Sequence, residues 1–422
     1  MDLRNKTVTI IGFARSGMAA AELVCHFGGK VKISEAAPED AFKAVIQDWP
    51  LRNHVTMEFN GHSRAFIEDS DIVVLSPGVR MDAPPVKWAK AKGIRVIAEI
   101  ELAWHFCHQP VVAVTGSNGK TTVSTLIAKV LEAGGKKVIL CGNIGSPFSK
   151  FIGNLKDKDS DVVVLEASSF QLESIVDFRP DVAVFLNFCQ NHLDRHKDIE
   201  EYFNVKKRIF VNQKNDDYAV LNYEDRRVKE LASSLNAMIS FFNPPGIYQR
   251  IPIRNPNYLA ALEVGRIFGV PLEVCLDVFK EFKGVEHRLE WVRELNGVDF
   301  INDSKATTAQ AAMWALQSLE KPMIMICGGR DKNIDFSIVR ELAKKKVKKM
   351  FVIGEAKAKL RKAFGDTIAV EECDRLEDAV FRANEYAVLG DCIILSPMCA
   401  SFDMFPNFEE RGRIFKEIVR KL

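Results

Sequence analysis

A loop that carries glycine and lysine, set between a short apolar strand and a helix, constrains this chain more than any other feature. Residues 111–114 form a β-branched apolar run that predicts a buried strand, and residues 121–133, closed by Gly134 and Gly135, predict a helix. The loop between them offers main-chain N–H groups, a helix N-terminus and the Lys120 ammonium to an anion. Thr121 follows, where its hydroxyl can reach a Mg²⁺ ion held by phosphates. The sequence therefore predicts a phosphate-binding loop.

The spacing of this loop departs from the usual G-x-x-x-x-G-K-[ST] pattern. Val114 stands where that pattern has its first glycine, and what remains is the shorter Gly116-x-x-Gly119-Lys120-Thr121. An ordinary strand-to-helix turn would also contain glycine. The lysine at the helix start favours the phosphate-binding interpretation over that alternative.

Length and composition limit the classes of protein that this chain can belong to. Its 422 residues are long enough for about three domains. A net charge of +2 argues against a nucleic-acid partner, and no apolar run reaches the roughly 18 residues of a membrane span. The nine cysteines form no C-x-x-C pair, so neither a zinc site nor a disulfide framework is indicated. With no signal peptide before the first strand, we expect a cytoplasmic protein.

The N-terminal segment begins as a βαβ unit with a glycine turn at residues 12–17. The acidic Glu35 follows the second strand, which resembles a dinucleotide-binding fingerprint, but Ala14 replaces one of its glycines. Simple helix–strand packing explains such a turn equally well. The hypothesis that the chain is a nicotinamide dehydrogenase would depend on this turn alone. A later strand, residues 71–75, runs into Ser76-Pro-Gly, at the strand end where open α/β sheets place ligands.

Polar residues follow several other strands. Glu166 ends a buried strand and would suit Mg²⁺ beside a phosphate loop, although it could instead cap the next helix. Two histidines and an aspartate lie within residues 191–196, which packing rarely explains. Helical periodicity alone predicts that Lys206 and Lys207 lie on a solvent-exposed face of a helix. Further on, strands end at residues 303–305 and 331–332 in polar turns, which predicts a parallel, doubly wound sheet with one functional edge.

Three motifs carry a family resemblance: residues 115–122, residues 191–196 (Asn-His-Leu-Asp-Arg-His) and the pair His287-Arg288. They resemble motifs of the Mur ligases of peptidoglycan synthesis and of the folylpolyglutamate ligases. Residues 168–173, 302–307 and 396–412 are similar to the D-glutamate-adding group of the Mur ligases. The resemblance covers essentially the whole chain. It implies an α/β protein of three domains: Rossmann-like and UDP-substrate-binding (1–93), P-loop ATPase-like (94–284) and Rossmann-like and amino-acid-binding (285–422).

The resemblance also implies roles for individual residues, with Lys120, His192 and Lys206 as the catalytic set. The residues expected to bind ATP are Gly116, Ser117, Asn118, Gly119, Lys120, Thr121, Thr122, Asn257, Arg288 and Asp303. Those expected to bind the UDP substrate are Arg15, Ser16, Glu35, Ser76 and Asn143. Those expected to bind D-glutamate are Lys305, Thr307, Lys332, Ser401 and Phe408. Two Mg²⁺ ions would be held by Thr121, Glu166, His192 and a carbamylated Lys206.

The implied reaction adds D-glutamate to UDP-N-acetylmuramoyl-L-alanine at the expense of ATP, through an acyl phosphate. The implied partners are these small molecules, and the implied state is a monomer. One departure from the family concerns the residues expected near the adenine of ATP. The family's His-Asn-x-x-Asn motif is replaced here by Ile253-Arg254-x-x-Asn257, in a segment that is shorter than in the family. Two alternatives remain open, a related ligase for another amino acid (L-lysine, diaminopimelate, or glutamate onto a folate) and a ligase-derived nucleotide-binding scaffold.

Overall fold

The structure of the chain is a computed structural model, which describes residues 1–152, 160–189, 195–246, 253, 255–282, 284–331 and 334–422. The chain divides into two compact units, residues 1–282 and 283–422. The first unit contains two β-sheets and the second unit contains one.

The first sheet is parallel and has five strands in the order β3-β2-β1-β4-β5. Its strands are β1 (Thr7–Ile11), β2 (Lys30–Ser34), β3 (Val55–Glu58), β4 (Ile72–Leu75) and β5 (Arg95–Ala98). Its helices are α1 (Arg15–His26), α2 (Lys43–Asp48), α3 (Arg64–Glu68), α4 (Pro84–Ala91) and α5 (Glu99–Trp104). From β1 the chain adds β2 and β3 on one side of the sheet, and then β4 and β5 on the other side. At this switch point the glycine turn after β1 lies beside the turn after β4.

The second sheet is also parallel, with six strands in the order β11-β10-β9-β6-β8-β7. Its strands are β6 (Val111–Thr115), β7 (Val138–Gly142), β8 (Val162–Glu166), β9 (Val182–Phe185), β10 (Tyr218–Asn222) and β11 (Met238–Phe242). Its helices are α6 (Lys120–Ala133), α7 (Ser169–Leu172), α8 (Ile199–Lys207), α9 (Arg226–Glu230), α10 (Pro256–Ile267) and α11 (Leu272–Glu281).

Strand β6 is buried on both faces, as its unbroken apolar run predicts. Because successive side chains point to opposite faces, Val112 and Val114 pack with α6 and α10, whereas Val111 and Ala113 join a cluster on the other face. That second cluster continues through Ile10 and other core residues of the first sheet. One uninterrupted hydrophobic core therefore joins the first two sheets.

The third sheet has the order β12-β13-β17-β14-β15-β16. Its strands are β12 (Glu290–Leu295), β13 (Val298–Asn302), β14 (Met323–Gly328), β15 (Val347–Ile353), β16 (Ala369–Glu372) and β17 (Cys392–Leu395). Its helices are α12 (Ala309–Ser318), α13 (Ser337–Lys346), α14 (Lys357–Phe364), α15 (Leu376–Tyr386) and α16 (Phe408–Lys421). Strand β12 pairs with β13 in the antiparallel direction, and the other pairings are parallel.

The expected fold class is confirmed: three α/β sheets follow one another along the chain. The expectation of a purely parallel third sheet was wrong at its edge, because a two-residue turn at Asn296 and Gly297, both with positive φ, folds β12 back onto β13. The sequence interpretation also missed the short strands β3, β11 and β16. Within the described residues, no helix combines the length and the hydropathy that crossing a lipid bilayer requires.

A buried arginine stabilises the second unit. The side chain of Arg411, in α16, is almost fully buried. Its guanidinium donates through Nε to the Ser304 hydroxyl at 3.0 Å, through Nη2 to the Ser304 carbonyl at 3.0 Å, and through both Nη atoms to the Cys399 carbonyl at 3.2 Å. Burial lowers the pKa of Arg411 to about 10. The arginine thus joins α16 to the two loops that follow β13 and β17.

We expect Arg411→Met to lower the free energy of unfolding of the second unit by about 3 kcal/mol, because buried carbonyls lose a charged donor. Hydrogen exchange of the amides in β14 and β17, measured in the intact chain, reports this change. Arg413→Met is the matched control: Arg413 lies two residues away, is exposed and pairs with Glu410 and Glu417, so exchange should stay as in the wild type. Equal exchange in the two variants would contradict the assigned role of Arg411.

Candidate active site

The predicted phosphate loop lies between β6 and α6. Gly119 precedes the helix with φ of 81°, a left-handed conformation that favours glycine. A Cβ atom at Gly119 would lie 2.7 Å from Oδ1 of Asn257, so a larger residue would displace that side chain. Asn257 comes from the start of α10, where the Asn255 side chain accepts from its N–H. The structure therefore brings Asn257, the surviving residue of the altered motif, to the phosphate loop.

Lys120 reaches back over the loop that precedes it. Its Nζ donates to the Gly116 carbonyl at 2.9 Å and to the Ser117 carbonyl at 3.2 Å. The ammonium thus lies at the loop, next to the N-terminus of α6. Thr121 is buried in the first turn of the same helix, and Thr122 follows it half-buried. A loop, a helix N-terminus and a lysine in this arrangement can hold a polyphosphate.

The loop is braced by residues that follow β9, and the sequence interpretation did not assign them. Oδ1 of Asn187 accepts from the N–H of Asn118 at 2.9 Å, and Nδ2 of Asn187 donates to the Asn118 carbonyl at 3.1 Å. The Ser117 hydroxyl donates to the Cys189 carbonyl at 3.0 Å. Because β9 lies beside β6 in the sheet, a polar residue ending β9 is adjacent to this loop. The pairing of β9 with β6 brings Asn187 to the loop, and local sequence patterns carry no signal of that pairing.

Glu166 ends β8, which pairs with β6 on its other side, so that Glu166 lies opposite Val114. Its Oε1 accepts from the Asn143 side chain at 2.7 Å, and its carbonyl accepts from the Asn143 N–H at 2.9 Å. Its Oε2 is buried without a hydrogen-bond partner in the described part of the chain. The structure therefore joins Asn143, expected at the UDP substrate, to Glu166, expected at a metal ion.

Helix α8 contributes Tyr202 and Lys206, which lie one helical turn apart on the same face. Both are buried, contrary to the periodicity-based expectation that Lys206 faces solvent. Nζ of Lys206 donates to the Gly116 carbonyl at 2.9 Å, the same oxygen that Lys120 contacts. Burial, reinforced by the charge of Lys120, lowers the pKa of the Lys206 amine well below its usual range.

His192, the third expected catalytic residue, lies outside the described residues, as do its neighbours 190–194. The motif that contains it is described at Arg195 and His196. The His196 ring is buried, with Nε2 at 3.1 Å from the Ser169 hydroxyl. Burial lowers the pKa of His196. The His196 ring therefore lies between the Ser169 hydroxyl and the Glu173 carboxylate, whose Oε1 is 3.6 Å from Nδ1.

The residues expected at the UDP end surround the glycine turn after β1. Both carboxylate oxygens of Glu35 accept main-chain N–H groups, Oε2 from Phe13 at 2.7 Å and Oε1 from Ala37 at 2.9 Å. The Ser76 hydroxyl donates to the Gly12 carbonyl at 3.0 Å. Arg15 is exposed and Ser16 half-buried in the first turn of α1. Glu35 and Ser76 therefore hold the turn through main-chain groups, whereas Arg15 and Ser16 are accessible to solvent at the start of α1.

In the second unit, Asp303 follows β13 and is buried. Its Oδ2 accepts from the Ser396 hydroxyl at 2.9 Å and its Oδ1 from the Leu289 N–H at 3.2 Å. Burial raises the pKa of Asp303 to about 7, although these hydrogen bonds and Arg288 act in the opposite direction. Arg288 lies with its guanidinium carbon 5.3 Å from the centre of the Trp314 ring.

The residues expected at D-glutamate that the structure describes follow β13, follow β17 or begin α16. Nζ of Lys305 lies 5.9 Å from the centre of the Phe408 ring, and the Ser304 hydroxyl donates to the Phe408 carbonyl at 2.8 Å. The N–H of Thr307 donates to the Lys305 carbonyl at 2.8 Å. Ser401 is buried in the loop after β17. Lys332 lies outside the described residues.

Three family descriptions match consecutive parts of the chain. Residues 6–98 match the MurD-like N-terminal domain of Mur ligases, residues 114–243 match the Mur ligase middle domain, and residues 287–399 match the glutamate ligase domain of Mur ligases. These three segments contain the first sheet, the phosphate loop and all six strands of the third sheet.

Full-length relatives agree with these matches. Proteins named UDP-N-acetylmuramoylalanine–D-glutamate ligase, from Koribacter versatilis and Alkaliphilus oremlandii, are 39% and 38% identical to this chain. Each comparison covers 100% of this chain, with 99% of the first relative and 100% of the second. A third relative of that name, from Thermoanaerobacter, is 36% identical, with 100% of both chains covered.

Solved structures share the fold at lower identity. The UDP-N-acetylmuramate–alanine ligase MurC of Thermotoga maritima gives a TM-score of 0.55 at 17% identity, covering 99% of this chain and 100% of that one. The MurF ligase of Thermotoga maritima in complex with ADP gives 0.56 at 16% identity, covering 100% and 96%. With a braced phosphate loop, three sheets in this order and full-length relatives above 35% identity, the chain belongs to the Mur ligase family.

Proposed function

We propose that the chain is an ATP-dependent ligase that joins D-glutamate to UDP-N-acetylmuramoyl-L-alanine in peptidoglycan synthesis. One observation carries the proposal: the lysine-bearing loop, with Lys206 bonded to it and Glu166 at the end of the adjacent strand, occurs in a chain whose full-length relatives bear that enzyme's name. The names of the relatives specify both the acyl substrate and the amine. The phosphate loop supports the use of ATP.

The proposed reaction has two steps. A carboxylate oxygen of the acyl substrate attacks the γ-phosphorus of ATP, and the bond from that phosphorus to the β–γ bridging oxygen breaks to release ADP. The D-glutamate nitrogen then attacks the acyl carbon, the carbon–oxygen bond to phosphate breaks, and the nitrogen loses a proton. No protein nucleophile takes part, so the chain contributes positioning and charge stabilisation.

Lys120 and the loop amides would bind the β- and γ-phosphates. The contacts of Lys120 with Gly116 and Ser117 hold its ammonium at the loop before a phosphate arrives, which limits the reorganisation that binding requires. Asn257, close to Gly119, would contact the nucleotide from α10. Arg288 and Asp303 of the second unit remain proposed contacts of ATP.

The residues around Glu166 fit a magnesium ion. Its buried Oε2 has no partner among the described residues, and a carboxylate oxygen is a ligand that Mg²⁺ prefers. Thr121 and Glu166 would hold one ion, and His192 with a carbamylated Lys206 would hold a second. When bound, magnesium would offset the charge that develops on the phosphate oxygens.

The environment of Lys206 supports the carbamate. A buried ammonium beside Lys120 is disfavoured, and the lowered pKa favours the neutral amine over the ammonium. The amine nitrogen can attack the carbon of CO₂: the new N–C bond forms, one C=O becomes a C–O⁻, and the nitrogen releases a proton. The carbamate then carries a negative charge next to Lys120, where an unmodified ammonium would repel both the lysine and a metal ion.

Arg15, Ser16, Glu35 and Ser76 would bind the UDP end, and Asn143 the muramoyl part. Lys305, Thr307, Lys332, Ser401 and Phe408 would bind D-glutamate, where two ammonium groups suit a dicarboxylate. The domain boundaries at residues 93–94 and 284–285, the monomeric state and the cytoplasmic location stay predictions.

We expect phosphate release when UDP-N-acetylmuramoyl-L-alanine, ATP and D-glutamate are supplied together, and at most about one-hundredth of that rate with L-glutamate, L-lysine or diaminopimelate, because a site built for one amine leaves polar groups unpaired with another. Release with a different amino acid alone would support the alternative ligase. No release with any amino acid, together with ATP binding, would support the scaffold.

We expect Lys120→Met to lower the rate of phosphate release by about 100-fold or more, because a preorganised charge at the transferring phosphoryl group is lost. Lys129→Met is the control, since Lys129 lies exposed on the same helix and keeps the loop intact. An active Lys120→Met enzyme would contradict the assigned role of the loop.

We expect removal of dissolved CO₂ to lower the activity and bicarbonate to restore it, because only the carbamate suits the second metal site. As pH falls through the lowered pKa of Lys206, the amine becomes protonated and the carbamate is lost, so this dependence should grow toward acid pH. Nuclear magnetic resonance with isotopically labelled bicarbonate detects the adduct directly. Lys206→Ala should show neither the signal nor the bicarbonate effect, and activity independent of CO₂ in the wild type would exclude the carbamate.

A further inference from the structure

Arg195 connects the central domain to the turn that follows β4. Its Nη1 donates to the carbonyls of Pro77 at 2.9 Å and Gly78 at 3.2 Å, and its Nη2 donates to the carbonyl of Val79 at 2.7 Å. Three consecutive main-chain carbonyls therefore accept from one guanidinium, whose planar fork suits such a set. We name residues 76–79 the 76–79 turn; it is closed by a hydrogen bond from the Val79 N–H to the Ser76 carbonyl at 3.0 Å.

The guanidinium is itself fixed from the central domain. Its Nη2 pairs with Oε2 of Glu173 at 3.1 Å, and its central carbon lies 4.2 Å from the centre of the Phe170 ring. The side chains of Arg195 and Glu173 are only 10% and 11% exposed. The guanidinium is therefore held by a largely buried ion pair and by the face of the Phe170 ring. Few other orientations of the arginine would keep both contacts.

The 76–79 turn continues this connection to the proposed UDP pocket. The Ser76 hydroxyl donates to the Gly12 carbonyl, and Glu35 accepts from the Phe13 N–H in the same glycine turn. Space at this junction is limited, because a Cβ atom at Gly17 would lie 2.0 Å from the Gly12 carbonyl oxygen. A displacement of the 76–79 turn would therefore be transmitted to the backbone that shapes the pocket.

We propose that Arg195 is a positioning residue for the acyl substrate: it holds the 76–79 turn, and through Ser76 the glycine turn, in the arrangement that binds the uridine diphosphate. The proposal rests on the proposed function for the identity of that ligand. Arg195 touches no reacting atom in this role. It lies three residues after His192 in the sequence, so one segment would serve both the metal site and the placement of the substrate.

The test compares Arg195→Met, Arg195→Lys and the control Arg179→Met. Arg179 is also an arginine of the central domain held by carboxylates, Asp216 and Asp217, but it does not contact the 76–79 turn. The dissociation constant of UDP alone is measured by calorimetry, and KM for each of the three substrates by phosphate release. Thermal unfolding of every variant is recorded alongside.

We expect Arg195→Met to raise the dissociation constant of UDP and KM for UDP-N-acetylmuramoyl-L-alanine about tenfold, with KM for ATP and for D-glutamate within about twofold. Arg195→Lys, which keeps the charge opposite Glu173 but loses the fork, should give an intermediate rise of about threefold. Arg179→Met should bind UDP as the wild type does.

Unchanged UDP binding in Arg195→Met, an equal rise in KM for all three substrates, or the same shift in Arg179→Met would overturn the proposal. If Arg195→Met does not fold, Arg195→Lys decides by the same criteria. A wild-type chain that binds UDP but releases no phosphate with D-glutamate would contradict the proposed function, and a loss of UDP binding in Arg195→Met would still support the positioning role.

Discussion

The contact of two lysines with one carbonyl oxygen is the interaction on which the arrangement of the central domain depends. Lys120 and Lys206 both donate to Gly116, one from the helix that begins at the loop and one from α8. Two ammonium ions this close, one of them out of solvent, would repel each other strongly. This repulsion and the burial of Lys206 both lower the pKa of its amine. The remaining contacts of the loop, from Asn187, Tyr202 and Asn257, hold it in the shape that this pairing requires.

Main-chain carbonyls held by arginine recur in both units. Arg411 binds the carbonyls of Ser304 and Cys399, and Arg195 binds those of residues 77–79. In each case the carbonyls belong to turns at the carboxyl ends of parallel strands, where the backbone leaves the sheet and its oxygens lose their ladder partners. A guanidinium supplies several donors in one plane and so satisfies a whole turn. Loops that must keep a defined shape for a ligand are thereby tied to neighbouring secondary structure.

The sequence predicted the three α/β sheets, the phosphate loop and its helix because those features depend on local patterns: apolar runs, glycines at turns and a lysine at a helix start. It did not predict the burial of Lys206, since the periodicity of α8 cannot show that the phosphate loop covers that face. Strand order was equally out of reach, and with it the contacts of Asn187 and Arg195, whose partners lie about 70 and 116–118 residues away. The antiparallel strand β12 was missed because it lies at the sheet edge with every residue half-buried or exposed, so that no buried apolar run marks it. The placement of Asp303 and Lys305 directly after a strand was predicted, because it depends on local sequence. Their contacts with Ser396 and Phe408 were not predicted, because those residues lie about 90 or more positions away in the chain.

The continuous core beneath the first two sheets has a consequence for how such proteins can be rearranged during evolution. Residues such as Ile10 and Ala113 belong to one apolar cluster, although they come from different sheets. If recombination replaced the first sheet alone, the new sheet would need an apolar surface complementary to that of the second sheet, in addition to a suitable linker. Exchange at the border near residues 282–283, between the two compact units, leaves that cluster whole. The second unit, to which the residues proposed to bind the amine belong, is therefore the more readily exchanged module.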